Sequence, residues 1–342
     1  MQPGIVGIVD FGSYLPGEPV GPEFFRDESD EGKAADPLAD LPLFRVPPAR
    51  HHVAPDEQAA GMIAEAARPL FERLGRDPAD SVDVLITNVL LPDELFTGIG
   101  ARAAHALGCS PEWIVDLHNG GCASFMYMLK LAQKIMADGS ARTALVANVQ
   151  NSAGQVFAQS EVRKEAHAAY PGDGCGVAYL TVDGGSPVLG VRTRNIPAHA
   201  LDLGLETPDG RKYWEPGTGQ MDIRFHPDKT TEIMERGNTL VPELVQKLCA
   251  DLGEPPSAID VLVTNQPNRI FLKNWSEALG LAPERHLDTF DHLGNLYGAA
   301  VPITLDRAAR AGRLRDGDLV MMAGFAHAGD FAAAGALRWS AR

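Results

Sequence analysis

Short apolar segments of strand length alternate with longer helical segments along the chain of 342 residues. In the first half an Ala-rich amphipathic run precedes the apolar run VDVLITNVLL, and in the second half the amphipathic run TEIMERGNTLVPELVQKLCADLG precedes the apolar run IDVLVTN. Such alternation is typical of layered α/β folds, in which each element buries one face against the next layer. Because the order recurs, we predict two similar halves, residues 1–186 and residues 187–342.

Composition and charge exclude several classes of function. The chain has 45 acidic and 30 basic residues, and the net charge of −15 disfavours binding to nucleic acid, which needs clustered Lys and Arg. Its apolar runs are shorter than the roughly 18 residues that span a bilayer. The N-terminus MQPGIVGIVD lacks the basic region of a signal peptide. We therefore predict a cytoplasmic protein that binds neither nucleic acid nor a membrane.

The cysteines have no spacing that suggests a disulfide framework or a metal site. There are four of them, Cys109, Cys122, Cys175 and Cys249. Because they form neither CxxC pairs nor the usual pattern of metal ligands, the sequence favours reduced thiols and gives no support for a bound metal ion.

Cys122 has surroundings that the other three cysteines lack. In DLHNGGCASFMYMLKLAQKIMADG it follows a strand-like run and two glycines, and a helical run begins at it. The partial positive charge and free N–H groups of a helix N-terminus stabilise a thiolate and lower the cysteine pKa. Gly120 and Gly121 permit a sharp turn that exposes the sulfur. We therefore predict a reactive cysteine with a lowered pKa.

Several segments match one protein family in the same order along the chain. Besides the Cys122 segment, they are GDGCGVAYL, NQPNRI, DHLGNLYGAAVPITL and GRLRDGDLVMMAGFAHAGD. Together they resemble ketoacyl-ACP synthase III and its relatives in the thiolase superfamily. The resemblance implies a five-layered α/β/α/β/α thiolase fold with two pseudo-symmetric halves. It also implies a homodimer in which LPDELFTGIG forms part of the partner's pocket wall.

The resemblance implies catalytic roles for residues at matching positions. Cys122 matches the nucleophile that takes an acyl group as a thioester. Asn295 matches the asparagine that hydrogen-bonds a malonyl thioester carbonyl. The family's histidine is replaced by Asn265, whose amide can donate a hydrogen bond but takes up no proton near neutral pH. A step that needs a base must therefore use another residue.

A histidine elsewhere in the chain is the candidate for that base. His327 lies in the closing turn, where the family has FGGG, and Asp330 is its candidate orienting partner. Two other histidines are weaker candidates, namely His118 on the predicted buried strand before Cys122, and His292.

Three residues are candidate substrate contacts. Phe325 and Gly329 belong to the closing turn, whose backbone lies near the cysteine in the family, and Arg163 falls near the arginine that clamps the adenine of CoA. Residues 17–50, rich in proline and acid, predict a covering loop and lack the family's tryptophan for that clamp. The substrates implied are acyl-CoA or acyl-ACP, both phosphopantetheine thioesters, with the carrier protein favoured. No tightly bound cofactor is expected.

Two reactions fit these residues. One is decarboxylative condensation of the Cys122-bound acyl group to a 3-oxoacyl product, which Asn295 favours. The other is acyl transfer to an alcohol or amine without decarboxylation, as in specialised metabolism, which Asn265 and His327 favour. Outside these two, a hydroxymethylglutaryl-CoA-synthase-like enzyme needs the missing histidine, and a non-catalytic partner subunit commonly lacks the nucleophile that Cys122 retains.

Overall fold

A computed structural model describes residues 4–25 and 45–341, except residues 208, 213, 216, 218, 221 and 226. The predicted covering loop over residues 17–50 lies largely outside the described residues. In chain order the strands are β1 (Val6–Tyr14), β2 (Val84–Val89), β3 (Trp113–Leu117), β4 (Thr143–Gln150), β5 (Gly174–Val182), β6 (Ser186–Asn195), β7 (Leu203–Glu206), β8 (Asp222–Phe225), β9 (Val261–Thr264), β10 (His286–Leu287), β11 (Leu319–Ala326) and β12 (Phe331–Arg338). The α-helices are α1 (Ala59–Leu74), α2 (Gly100–Leu107), α3 (Ser124–Ile135), α4 (Thr230–Leu252), α5 (Arg269–Ala278), α6 (Phe290–Leu293) and α7 (Ala300–Arg310).

Within the described residues, one ten-stranded sheet has the order β10-β9-β11-β12-β6-β1-β5-β4-β2-β3, and β7 pairs with β8 separately. In the first half β2 pairs in parallel with β3 and β4, and β5 pairs antiparallel with β4 and β1. In the second half β9 pairs in parallel with β10 and β11, and β12 pairs antiparallel with β11 and β6. The two half-sheets therefore share one topology, which confirms the predicted pseudo-symmetry.

Corresponding positions of the two halves carry related residues. In VDVLITN, Asn88 lies near the end of β2, and in IDVLVTN, Asn265 directly follows β9. β3 leads into α3 through the turn that contains Cys122, and β10 leads towards α7 through the turn that contains Asn295. The boundary between residues 186 and 187 falls at the start of β6 and stays a prediction.

Three apolar clusters separate five layers. α3 and α7 lie between the inner faces of the two half-sheets, with Phe125 and Val301 in this central core. α1 and α2 cover the outer face of the first half-sheet around Ile63, and α4 and α5 cover the outer face of the second around Trp275. The layers follow the order α/β/α/β/α, as predicted. Because both faces of each half-sheet are covered, the central strands are continuously apolar.

β3 differs from the other strands of the first half because it forms an edge of the sheet. Its Trp113 and Ile114 are 43% and 41% exposed. The prediction of a buried strand here is therefore wrong for the single chain, and His118, which follows β3, is exposed as well. Across the described part of the chain, none of the helices combines the length and the apolar character needed to cross a membrane.

Candidate active site

Cys122 lies in a short 3-10 turn, Gly121–Ala123, directly before α3. Gly121 has φ +45°, a left-handed conformation that favours glycine. A Cβ at Gly121 would lie 2.9 Å from both Ala326 Cβ and His327 Nε2. The glycine therefore lets the Cys122 turn of the first half approach the closing turn of the second half.

The Cys122 sulfur is buried and has three hydrogen-bond donors around it. These donors are its own backbone N–H, the backbone N–H of His327 and the side chain of Asn265, and each lowers the thiol pKa. Burial has the larger effect and raises the pKa of Cys122 to about 12. The sequence interpretation of an exposed sulfur with a lowered pKa is therefore wrong. The α-helix begins only at Ser124, and desolvation of the thiolate outweighs the nearby donors.

Asn265, which is predicted to replace the family's histidine, is fully buried. Its backbone N–H donates to Ala323 O at 3.1 Å, and its Nδ2 donates to Phe325 O at 3.3 Å. Its Oδ1 has no hydrogen-bond partner among the described residues. A Cβ on Gly324 would lie 3.0 Å from that oxygen and 3.1 Å from Cys122 O. Asn265 is thus a fixed amide donor beside the sulfur, in a site with little room for a larger side chain.

His327 lies in the turn between β11 and β12 with φ +50°, a conformation that few non-glycine residues adopt. Its Nδ1 is 2.8 Å from Asp330 Oδ1. Since an ionised carboxylate can only accept, Nδ1 donates to Asp330, and in the neutral imidazole Nε2 is then the nitrogen with the lone pair. Nε2 is the ring atom on the side of Gly121. The pairing predicted between His327 and Asp330 is present, and the basic nitrogen faces the Cys122 turn.

Asn295 is held by contacts with the first half. Its N–H donates to Tyr170 O at 2.8 Å, and its carbonyl accepts from Gly172 N at 3.1 Å. Its side-chain Oδ1 accepts from Tyr297 N–H at 3.1 Å, which fixes the amide plane. A Cβ at Gly298 would lie 2.7 Å from Gly121 O. The Asn295 turn therefore packs against the Cys122 turn, so the structure brings these two predicted residues into one region.

Tyr297 is a site residue that the sequence interpretation missed. It has φ +47°, and the carboxylate and thiolate charges of Cys122, Asp173 and Asp222 add to burial in raising its phenol pKa. The Tyr297 side chain is half-buried, and a strained backbone at such a polar residue is common at functional sites. Nothing in GNLYGAA marks Tyr297 out, because the segment is interpreted only through Asn295.

Phe325 and Gly329 both lie next to the outer layer of helices. The Phe325 ring packs in the outer core against Phe271 and Trp275, with centroids 5.3 and 6.1 Å away. The residue reaches the site only through its carbonyl, which accepts from the Asn265 amide. Gly329 has φ +95° and packs against Arg236 of α4. The Phe325 ring is therefore not placed to contact substrate, and the predicted substrate contacts of the backbone at Phe325 and Gly329 stay predictions.

The remaining candidates lie at the surface. Arg163 is half-buried, with its guanidinium 5.4 Å from the centroid of the Phe24 ring. An aromatic residue is therefore next to Arg163, although it is not the tryptophan expected by resemblance. His292, in α6, is exposed like His118. Of the three candidate histidines, His327 has its ring beside Gly121, whereas the side chains of His118 and His292 are exposed.

Sequence comparisons match both halves of the chain. A family model described as 3-oxoacyl-[acyl-carrier-protein (ACP)] synthase III matches residues 115–195, and one for its C-terminal part matches residues 249–339. The beta-ketoacyl-[acyl-carrier-protein] synthase III of Acidiphilium cryptum is 30% identical over 281 residues, covering 80% of this chain and 82% of that protein. The enzyme of the same name from Gloeobacter violaceus is 29% identical over 278 residues, covering 81% and 82%.

Solved structures share the fold over nearly the whole chain. The 3-oxoacyl-(acyl carrier protein) synthase III of Pseudomonas aeruginosa has a TM-score of 0.81 at 22% identity, over 98% of each chain. A priming β-ketosynthase from a polyketide biosynthetic pathway has a TM-score of 0.83 at 20% identity, over 99% of this chain and 98% of that chain. The chain belongs to the 3-oxoacyl-[acyl-carrier-protein] synthase III family of the thiolase superfamily, and it is an acyltransferase of the ketosynthase III type.

Proposed function

We propose that this enzyme loads an acyl group from acyl-ACP or acyl-CoA onto Cys122 and condenses it with a malonyl-type thioester, releasing CO2 and forming a 3-oxoacyl thioester. One observation carries the proposal. The Cys122 sulfur lies where its own N–H, the His327 N–H and the Asn265 amide converge. The two backbone donors form an oxyanion hole for the tetrahedral intermediates of acyl transfer.

The loading step needs a base in this chain. Because burial raises the pKa of Cys122 to about 12, the thiol is protonated at neutral pH. His327 Nε2 takes the thiol proton as the sulfur attacks the thioester carbonyl. The new S–C bond forms, the old S–C bond breaks, and the departing thiolate takes the proton from His327. Asp330, on Nδ1, holds the ring and stabilises the imidazolium.

The condensation step needs an oxyanion site rather than a base. Loss of CO2 from the malonyl thioester leaves its electron pair on the α-carbon as an enolate, whose oxygen accepts from the Asn295 amide. The enolate carbon attacks the Cys122 thioester, the C–C bond forms, and the Cys122 thiolate leaves. His327 takes up a proton from solvent and passes it to that thiolate, which restores the resting enzyme. Asn265 supports the thiolate through the hydrogen bond that it already makes.

Intact-mass spectrometry tests the loading step. We expect incubation with a panel of acyl-CoA and acyl-ACP thioesters to add the mass of one acyl group, and Cys122→Ala to abolish the addition. Cys109→Ala is the matched control, since this buried cysteine belongs to the outer core around α1 and α2. Acylation that persists in Cys122→Ala would overturn the proposal.

CO2 release from a malonyl donor separates the two reactions. The names of the related enzymes favour condensation, which predicts one CO2 for each 3-oxoacyl product. Acyl transfer to an alcohol or amine releases none. If loaded enzyme yields an ester or amide and no CO2, the proposed condensation is contradicted. The proposed acylation of Cys122 would still stand.

We also propose a homodimer formed along β3. The edge strand exposes Trp113 and Ile114, and the nearby segment LPDELFTGIG exposes Leu95 and Phe96, which are 71% and 95% accessible. Exposed apolar side chains beside an unpaired strand edge favour burial against a second copy. Light scattering should give twice the chain mass of 36.6 kDa. A monomer mass at micromolar concentration would contradict the dimer.

The proposed location is the cytoplasm, where acyl carrier thioesters and reduced thiols occur together. The four buried, unpaired cysteines fit a reducing compartment. Cell fractionation of the tagged protein tests this location.

A further inference from the structure

The closing turn that carries His327 is held at three points. Within the turn, Gly329 N donates to Ala326 O at 2.8 Å. On the sheet side, Ile196 N donates to Asp330 O at 2.6 Å. The third contact comes from helix α4, where Arg236 Nε donates to Ala328 O at 3.1 Å. The turn therefore depends on one long side chain from outside the strands that it joins.

Arg236 uses its other nitrogens on a second segment of the chain. Nη2 donates to Asp202 Oδ2 at 2.6 Å, and Nη1 donates to His199 Nδ1 at 2.8 Å. Only 14% of the arginine side chain is exposed. A planar guanidinium that is bonded on three sides has little freedom to move. Its position fixes the Ala328 carbonyl, one residue after His327.

We infer that Arg236 is a positioning residue, which holds the closing turn so that the His327 imidazole and its backbone N–H face Cys122. The inference rests on the proposed function of His327. Left-handed backbone at a non-glycine residue persists only where surrounding contacts hold it. The Arg236 bond to Ala328 is such a contact, and Gly329 lies beside the same side chain, with Arg236 Nε 3.4 Å from a Cβ placed on the glycine.

Charges around the turn make an arginine suitable for this task. His327 faces Asp330 on its own turn and the Cys122 turn across from it, and α4 contributes Arg236 and Glu232. Asp202 and Glu232 both lie within 4 Å of the guanidinium, so its charge is neutralised locally. Lysine at this position keeps the charge but cannot bond Ala328, Asp202 and His199 together in one plane.

The test is a double-variant cycle that measures kcat of the complete reaction, loading followed by condensation. Arg236→Met keeps the apolar length and removes every donor. We expect kcat to fall about 10- to 100-fold, as for a displaced catalytic group, with KM for the malonyl donor within about twofold. Arg236→Lys should fall between Arg236→Met and the parent enzyme. Arg192→Met is the matched control, since it removes another arginine that pairs with α4, through Asp251, at the surface and away from the turn.

Coupling to His327 separates positioning from general support of the fold. If Arg236 acts through His327, the double variant Arg236→Met/His327→Ala should be within about threefold of His327→Ala alone. The inference would be overturned if the fold-losses in kcat of the two single variants multiply in the double variant. It would also be overturned if Arg236→Met has the kcat of the parent enzyme. Where Arg236→Met fails to fold, the same cycle with Arg236→Lys distinguishes the same two outcomes.

The failure of the proposed function has a different signature. If His327→Ala alone leaves kcat unchanged, then His327 is not the base, and the inference fails with it whatever Arg236→Met does. If His327→Ala is slow but the two losses multiply, the proposed function stands and only the positioning role of Arg236 is refuted.

Discussion

The two halves share a topology but divide the chemistry between corresponding connections. The connection from β3 to α3 carries Cys122, and its counterpart between β10 and α7 carries Asn295. The connection from β4 to β5 spans residues 151–173, whereas its counterpart from β11 to β12 is the short turn of residues 327–330. In the proposed mechanism, the first half therefore supplies the nucleophile and the longer connection, and the second half supplies the amides and the histidine. The duplicated fold forms one shared site because corresponding turns of the two halves meet at the centre of the molecule.

The largest expected effect tests whether the base comes from the second half. General-base catalysis contributes about 10²- to 10⁴-fold, so His327→Ala should lower kcat within that range. Because the Cys122 thiol is protonated at neutral pH, the loss should fall mainly on acylation of Cys122, and condensation by enzyme that is already loaded should change less. Stopped-flow loading followed by intact mass measures both steps. An unchanged loading rate would show that another group deprotonates Cys122.

A pair of glycine variants compares the two central turns. Gly121→Ala places a Cβ 2.9 Å from Ala326 Cβ and His327 Nε2, so we expect lost activity from a displaced histidine. Gly294→Ala places a Cβ 2.6 Å from the Tyr170 carbonyl, and backbone cannot yield as a side chain can. We expect each to lose about 1–3 kcal/mol of unfolding free energy from the left-handed φ, with Gly294→Ala losing more.

Gly139→Ala is the control for this pair. It has φ +83° and no heavy atom within 4 Å of an added Cβ, so its effect measures the backbone cost alone. Urea denaturation and kcat are measured on all three variants. If Gly121→Ala keeps full activity and loses only as much stability as Gly139→Ala, the close approach of the two central turns is not needed for activity.

Corresponding asparagines give a smaller and more local comparison. Asn265→Asp replaces the donor beside the Cys122 sulfur by a carboxylate, which disfavours the thiolate and repels Phe325 O. We expect kcat to fall about tenfold or more, since one pKa unit corresponds to about 1.4 kcal/mol. Asn88→Asp is the matched variant, because Asn88 Nδ2 donates at 2.8 Å to Leu117 O.

The outcome for the asparagine pair is a contrast between stability and rate. Both variants bury a carboxylate near a carbonyl, so both should lower the urea midpoint. Only Asn265→Asp should lower kcat beyond the loss of folded protein. Equal loss of kcat in Asn88→Asp, measured on folded enzyme, would refute a specific role for Asn265 at the sulfur.

The layered fold and the position of Cys122 could be predicted because their patterns are local. Alternating apolar and amphipathic runs identify strands and helices, and Gly-Gly-Cys between a strand and a helix marks the nucleophile. The burial of the sulfur could not be predicted in this way. Asn265 and His327, which surround it, lie 143 and 205 residues later in the chain. The pKa of Cys122 therefore depends on contacts between the two halves, which no local sequence pattern contains.

Local patterns are insufficient where a single backbone angle or contact decides. ELFTGIGARAAHALG favours a helix from Glu94, yet α2 begins at Gly100, because Gly98 has φ +67° and interrupts the helix. The place of Phe325 in the closing turn predicts a substrate contact. Its strand position instead directs the ring to the outer core, where Gly237 leaves room for it.

The last comparison concerns the pH dependence of the thiol, where the substitution itself should have the smallest effect. Burial raises the pKa of Cys122 to about 12, so the thiolate fraction is small at pH 7 and grows with pH. We expect the alkylation rate of Cys122 by iodoacetamide to rise about tenfold per pH unit from pH 7 to 10, because the thiolate alone reacts. All rates are measured under pseudo-first-order conditions. Each is divided by the rate of a model thiol peptide at the same pH, after that rate has been corrected for the peptide's own thiolate fraction.

Asn265→Ala removes one donor to the sulfur, which should raise the pKa of Cys122 further and slow its alkylation at every pH without changing the slope. A plateau below pH 8 in the parent enzyme would mean that the donors from the second half outweigh burial, and that the lowered pKa expected for a helix N-terminus applies after all.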